Sequence, residues 1–200
     1  MGVRATGHTR PARTFWWDRE PSAEADVLRA VVFDADSALA AELDDPVLDG
    51  DIAPRTGLID SVMSLFVAGI WVGVVSTRPR ARVETLVRQL IGDGLVETIV
   101  TVDDLPDADA GSACGVELYR LALWEMGITP RGALAIAGSS RGLRTSAAAG
   151  LPTVVVTTGP QFVGAAEIRA GYDDPEPLLA AGCQRTHRRW WIRQLAARVA

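Results

Sequence analysis

The stretch that decides the fold is Val31-Val32-Phe33-Asp34-Ala35-Asp36-Ser37-Ala38-Leu39. An apolar run, beginning at Ala30, stops abruptly at two carboxylic acids separated by one residue. Four further runs have the same character: Trp71–Val75, Thr98–Val102, Ala133–Ile136 and Thr153–Val156. They are apolar along their length instead of alternating, which is the pattern of parallel strands buried on both faces. Between them, apolar residues recur at helical spacing. Leu58, Val62, Leu65 and Phe66 form one stripe, and Val83, Leu86, Val87, Leu90 and Ile91 another. Two more helices are expected over about 115–126 and 141–149. Strands alternating with helices of this length predict an α/β protein, a Rossmann-like three-layer α/β/α sandwich around a five-stranded parallel sheet. Ligands of such sheets bind beyond the carboxyl ends of the strands, so the residues that follow each strand are where chemistry is expected.

Asp34 and Asp36 follow the first strand. A carboxylate with a second acid two residues on can attack an electrophile and then protonate the leaving group. Acids where a strand stops also make ordinary turns. The second strand runs into Ser76-Thr77-Arg78-Pro79-Arg80, where a hydroxyl could cap the helix that begins near Arg80. The fourth runs into Ala137-Gly138-Ser139-Ser140-Arg141-Gly142 and then a small-residue helix ending Ala149-Gly150-Leu151-Pro152.

Taken together these segments resemble the haloacid dehalogenase-like phosphohydrolases, over about residues 29–175. The fourth segment looks most like the phosphoglucomutase and phosphoglycolate phosphatase branch. The resemblance implies that Asp34 is a nucleophile and Asp36 a general acid/base. It also implies that Asp34 and the Asp36 backbone carbonyl hold magnesium, if the chain is active. Ser76, with Thr77 next, would bind the transferring phosphoryl group, and Ser139 occupies a phosphate-binding position of the fourth motif.

The departures from the family pattern are as informative as the matches. Ser37 and Ala38 stand where the family has Gly-Thr or Gly-Val. Ala137, Gly138, Ser139 and Gly142 leave every acidic position of the fourth motif empty. The third motif is recognisable in its helix, residues 115–126 with Tyr119, but Ala113 falls where its lysine would be. All 20 basic residues are arginine, so no lysine can replace it. Magnesium wants about six oxygen ligands, and phosphoryl transfer depends on neutralising charge. Two bare carboxylates would instead repel a phosphate and each other, which favours keeping one protonated. Arg78 and Arg141 could point guanidinium groups at an anion, although the plainer reading of each is a solvated surface charge. Asp103, Asp104, Asp107 and Asp109 are the candidates to supply missing metal ligands.

Only residues 37–56 separate Asp36 from the helix before the second strand. That allows a short flap, turning at Asp49-Gly50, but no cap domain; the resemblance is therefore to a core without a cap. Residues 1–28 are expected to be a partly disordered extension, residues 29–175 the core domain, and residues 176–200 a helical tail. In the tail, Trp191, Leu195 and Val199, flanked by Ile192, make an apolar stripe among arginines. It is expected to pack on the domain, against Phe15, Trp16 and Trp17, or to meet a partner or a second copy as a homodimer contact. His187 is expected at the surface. The formal net charge of −5 argues against nucleic-acid binding. Two distant cysteines, Cys114 and Cys183, fit a reducing cytoplasm, and no apolar run is long enough to span a membrane. Two functions follow from the residues. One is a catalytically impaired or non-catalytic protein that binds a phosphorylated ligand or a protein partner in a regulatory role. The other is a magnesium-dependent phosphatase that works through an aspartyl-phosphate at a rewired site.

Overall fold

Every residue of β1, Ala30–Asp34, is buried, and its side chains alternate between two cores. Val31 and Phe33 point into one, with Val72, Val74, Leu134, Ile136, Val154 and Val156. Ala30 and Val32 point into the other, with Val75, Val100, Ala133 and Ala135. A strand buried on both faces has to be apolar throughout, which is why the opening run has no polar residue before Asp34. These relations come from a computed structural model, which describes residues 27–40, 53–92, 94–105, 112–159 and 162–199.

The other strands are β2 Trp71–Ser76, β3 Thr98–Thr101, β4 Ala133–Ala137, β5 Thr153–Val156 and β6 Glu167–Arg169. All pairings are parallel, in the order β3-β2-β1-β4-β5-β6. The helices are α1 Leu58–Val67, α2 Arg80–Leu90, α3 Ser112–Met126, α4 Ser140–Ala148 and α5 Ala180–Val199. Helices α1, α2 and the start of α5 cover the first core through Leu58, Val62, Leu65, Val83, Leu86, Val87, Leu90 and Cys183. Helix α3 covers the second through Leu118, Tyr119, Ala122, Leu123 and Met126. The three-layer arrangement is as expected, but the sheet has six strands and not five. The sixth, Glu-Ile-Arg, is a three-residue edge strand held by pairing with β5, and it carries no apolar run to betray it.

The chain order places β2 and β3 on one side of β1, and β4 to β6 on the other. The path reverses at β1, so a crevice opens between the carboxyl ends of β1 and β4. Ala40 pairs with Pro54 in an isolated antiparallel bridge, so the insertion after β1 leaves and rejoins the domain at one point. The turn expected at Asp49-Gly50, the N-terminal extension with Phe15, Trp16 and Trp17, and the candidate ligands Asp107 and Asp109 lie outside the described residues.

Helix α5 packs on the domain, but its buried face begins earlier than the aromatic stripe. Ala180, Cys183, Thr186 and His187 are buried, Trp191 and Leu195 half-buried on the same face, and Ile192 is exposed. Small and polar residues start the stripe, so hydropathy alone starts it too late. His187, expected at the surface, is buried with Nε2 2.6 Å from the Arg131 carbonyl oxygen. The Arg131 guanidinium lies 5.3 Å from the centre of the Trp191 ring, a cation–π contact that fixes this end of the helix. Among the described residues no helix is long and apolar enough to cross a membrane.

Candidate active site

The turn after β1 is wound around Asp34. Its backbone carbonyl accepts the N–H groups of Ser37 and Ala38, at 3.2 and 2.8 Å, and the Ala35 N–H reaches across to Val75. Its side chain is enclosed in the same way. Oδ1 accepts the Asp36 N–H at 3.1 Å and Oδ2 accepts the Ser37 hydroxyl at 2.7 Å. Ser37 Oγ in turn accepts the Gly138 N–H at 2.9 Å, tying the end of β1 to the end of β4. Helix α4 then closes the remaining side. A β-carbon on Gly142 would stand 2.3 Å from Asp34 Oδ2, and one on Gly138 would stand 2.0 Å from the Ser37 carbonyl oxygen. Neither position has room for a side chain while the Asp34 turn holds this shape.

This enclosure changes the chemistry of the acid. Burial, and secondarily the charge of Asp36, push the Asp34 carboxyl up to about 6, against the opposing hydrogen bonds from Ser37 and the Asp36 N–H. Asp36 is turned the other way, towards the end of β2. Its Oδ1 accepts the Ser76 hydroxyl at 2.5 Å, and its Oδ2 accepts the Thr77 N–H and hydroxyl at 2.8 and 2.7 Å. Arg78 Nε lies 3.5 Å from Oδ1. The residues expected to receive a phosphoryl group after β2 are therefore gathered on Asp36. None of their side chains caps α2, whose N-terminal boundary residue is Pro79. Ser139 does cap its helix: it is the N-cap of α4, and its Oγ accepts the Gly142 N–H at 3.0 Å.

Asp34, Asp36, Ser76, Thr77, Arg78, Ser139 and Arg141 all line one cavity of about 470 Å³. The sequence reading of the strand ends thus converges on one place. Among the wall residues not singled out for it are Arg55 and Tyr119. Arg55, at the end of the insertion, donates from Nη2 to the Ser37 carbonyl at 3.1 Å. Tyr119, on α3, is fully buried, and burial together with the charges of Asp34 and Asp36 raises its hydroxyl well above the usual range. Arg55 had no motif around it; the only available signal was its place one residue after Pro54, where the insertion returns to the strand ends.

These residues do not fit a magnesium ion. Asp103 and Asp104 are held at the end of β3, where Asp103 accepts the Arg80 N–H at 2.8 Å and Asp104 takes the Arg80 guanidinium at 2.7 Å. Among the described residues no group of three His, Cys, Asp or Glu side chains could hold a metal ion. The oxygen of Asp34 nearest α4 already faces a hydroxyl and a helix backbone. The other charged side chains that line the cavity, Asp36 apart, are arginines, which repel a cation.

No protein-family model matches the chain. Protein CbbY of Cereibacter sphaeroides is 35% identical over 121 residues, covering 58% of this chain and 52% of the relative. The chain thus spans about half the length of the curated relative it matches. A crystal structure of CbbY from Rhodobacter sphaeroides in complex with phosphate is similar at 21% identity and a TM-score of 0.64, over 78% of this chain and 99% of that one. A putative β-phosphoglucomutase from Thermotoga maritima follows at 13% identity and a TM-score of 0.56, over 70% and 94%. The cobalt-bound deoxy-D-mannose-octulosonate 8-phosphate phosphatase from Haemophilus influenzae is similar at 16% identity and a TM-score of 0.55, over 84% and 90%.

Two measurements check the enclosure of Asp34. Folded Asp34 keeps its proton to about pH 6, whereas its ordinary value is 3.8. The stability this contributes is fully present below the unfolded value and is lost as pH rises through the folded one, on the order of 3 kcal/mol in all. Asp34→Asn cannot ionise, so in urea unfolding it should match wild type near pH 4 and exceed it at pH 8. Gly142→Ala should cost about 1–3 kcal/mol by overpacking, and distinctly less in an Asp34→Ala background, where the opposing carboxylate is gone.

Proposed function

We propose that the chain is a catalytically impaired member of the haloacid dehalogenase-like superfamily, on its phosphoglucomutase- and phosphoglycolate phosphatase-like branch, that binds a phosphorylated ligand in a binding or regulatory role. The observation that carries this reading is the enclosure of the Asp34 carboxyl by Ser37, the Asp36 N–H and the backbone of α4 at Gly142. A carboxylate nucleophile needs an ionised oxygen with an open line to phosphorus. Asp34 falls short of the second: its carboxyl, pushed up to about 6 by burial, ionises only above that pH, and its Oδ2 faces a hydroxyl at 2.7 Å and the backbone of α4. Asp36 is equally engaged, with Ser76, Thr77 and Arg78 on its oxygens. The cavity itself persists, lined by hydroxyls and arginines that suit an oxyanion. The likeness to CbbY, whose crystal holds phosphate, supports a phosphorylated ligand.

The competing reading is a magnesium-dependent phosphatase. It is favoured by the retained Asp34–Asp36 pair in a single cavity and by the metal found in a solved structure of the same fold. A cytoplasmic location fits both readings, because Cys114 and Cys183 are free, buried thiols.

Phosphatase assays on a panel of phosphate esters, with and without magnesium, separate the two. Turnover is expected at background in both conditions, equal to that of Asp34→Asn. Magnesium-dependent turnover that disappears in Asp34→Asn would establish the phosphatase instead.

A further inference from the structure

Helix α1 carries one charged residue in ten, Asp60. Its inner face is that of any helix packed on a sheet, with Leu58, Ser61, Val62 and Leu65 buried. Its outer face is as apolar as the inner one: Ile59 is 48% exposed, Met63 42%, Phe66 56% and Val67 81%. A surface helix turns charged and polar residues to water, and a helix apolar all round belongs in an interior. Helix α2, on the same side of the sheet, obeys that rule, with Thr85, Arg88 and Gln89 outward. The strip on α1 is bordered by Leu179, exposed in the turn into α5. That turn is fixed to α1 on both sides of Leu179. Ser61 Oγ donates to the Leu178 carbonyl at 2.7 Å, and the Ala180 N–H donates to Ser64 Oγ at 2.9 Å.

Together these five side chains leave on the order of 500 Å² of apolar surface in water, the size of a functional patch on a protein surface. A standard interface takes about 800 Å² from each partner, so the strip is large enough for the apolar centre of one, with Asp60 and Ser64 at its polar rim. Its pattern suits a two-fold axis. Ile59, Met63 and Val67 stand at i, i+4 and i+8, a straight row along the helix with Met63 at its centre. An axis beside Met63 sets the rows of two copies side by side and antiparallel, each in the groove next to the other. Ile59 then meets the partner's Val67, and Met63 meets its own image through a flexible thioether. Asp60 falls opposite the partner's Phe66 and not opposite the partner's Asp60, so no like charges are brought together. A charged partner would find nothing on the strip to pair with except Asp60.

We propose that the outer face of α1 is the contact of a homodimer, two copies packing about a two-fold axis beside Met63, with Ile59, Phe66, Val67 and Leu179 completing the buried surface. The interface is isologous, so it closes at two copies and leaves no second strip free. No residue of α1 lines the cavity, so this contact is independent of what that cavity binds. It also differs from a contact through the aromatic end of α5. Each chain carries a formal net charge of −5, so the copies repel at long range, and salt should tighten the dimer by screening that repulsion.

The test is sedimentation velocity of the full chain from about 1 to 200 μM, where an interface of this size is expected to dissociate. A monomer–dimer equilibrium that tightens with salt is expected. Met63→Glu places like charges face to face and should weaken it roughly 100-fold or more, with the urea midpoint near that of wild type because the position is exposed. Ile192→Glu, at an exposed position on α5, should leave the equilibrium unchanged. Contact at the axis is read by mild oxidation of Met63→Cys, which should link to its own image within the dimer. Cys114 and Cys183 are buried and do not compete. Val163→Cys, at an exposed position away from the strip, should not link. A monomer throughout the range, a dimer that Met63→Glu leaves intact, a dimer lost instead in Ile192→Glu, or failure of Met63→Cys to link faster than Val163→Cys would each overturn the proposal. So would a monomer that dimerises only when Phe15, Trp16 and Trp17 are replaced by alanine, since the strip would then belong to that segment.

Discussion

The contact on which the rest of the site depends is that between the Asp34 carboxyl and the protein immediately around it. Ser37 donates to Oδ2 and accepts from Gly138, so one hydroxyl joins the end of β1 to the end of β4. Gly142 lets the first turn of α4 approach where a β-carbon would come within 2.3 Å of the same oxygen. A carboxylate at a strand end normally faces solvent, a ligand or a metal ion. Here it faces a serine and a helix, and it is correspondingly reluctant to ionise.

The other features of the site follow from this. With Asp34 turned inward, Asp36 becomes the carboxylate that organises the end of β2, collecting Ser76, Thr77 and Arg78. With small residues at 138 and 142, α4 can sit close to the sheet and bring its N-terminus to the cavity. Positions 138 and 142 hold no gap: a β-carbon there would come within 2.0 Å of the Ser37 carbonyl oxygen and 2.3 Å of Asp34 Oδ2, so an acid at either position would first have to push the Asp34 turn aside. Arg55 completes the arrangement by bonding to the Ser37 carbonyl, so the residue that replaces the family's glycine is held through its hydroxyl and its backbone alike.

The layers of the fold were legible because they rest on hydrophobic pattern: five runs of buried β residues, and stripes at helical spacing between them. β6 was not, because an edge strand of Glu-Ile-Arg is defined by its hydrogen bonds to β5. The start of the α5 face was not either, because alanine, cysteine, threonine and a hydrogen-bonded histidine fill it in place of large apolar side chains. At the site, the residues read from the ends of β1, β2 and β4 reached a common cavity, since parallel topology brings those ends together, whereas Asp103 and Asp104 after β3 turned to Arg80 instead. The roles within it were not legible. That Ser76 and Thr77 bond to Asp36, that Ser139 caps α4, and that Arg55 enters from the insertion all depend on directions of side chains that spacing does not encode. Ser37, Gly138 and Gly142 were visible as departures from a pattern, but that they close on one another is a property of three dimensions.

Titration of magnesium into the metal-stripped protein, followed by calorimetry in parallel for wild type and Asp34→Asn, tests most directly whether protein has taken the place of metal beside Asp34. The enclosure predicts no saturable heat from either protein. Saturable magnesium binding by wild type that is lost in Asp34→Asn would contradict it, because Asp34 would then be open to a cation.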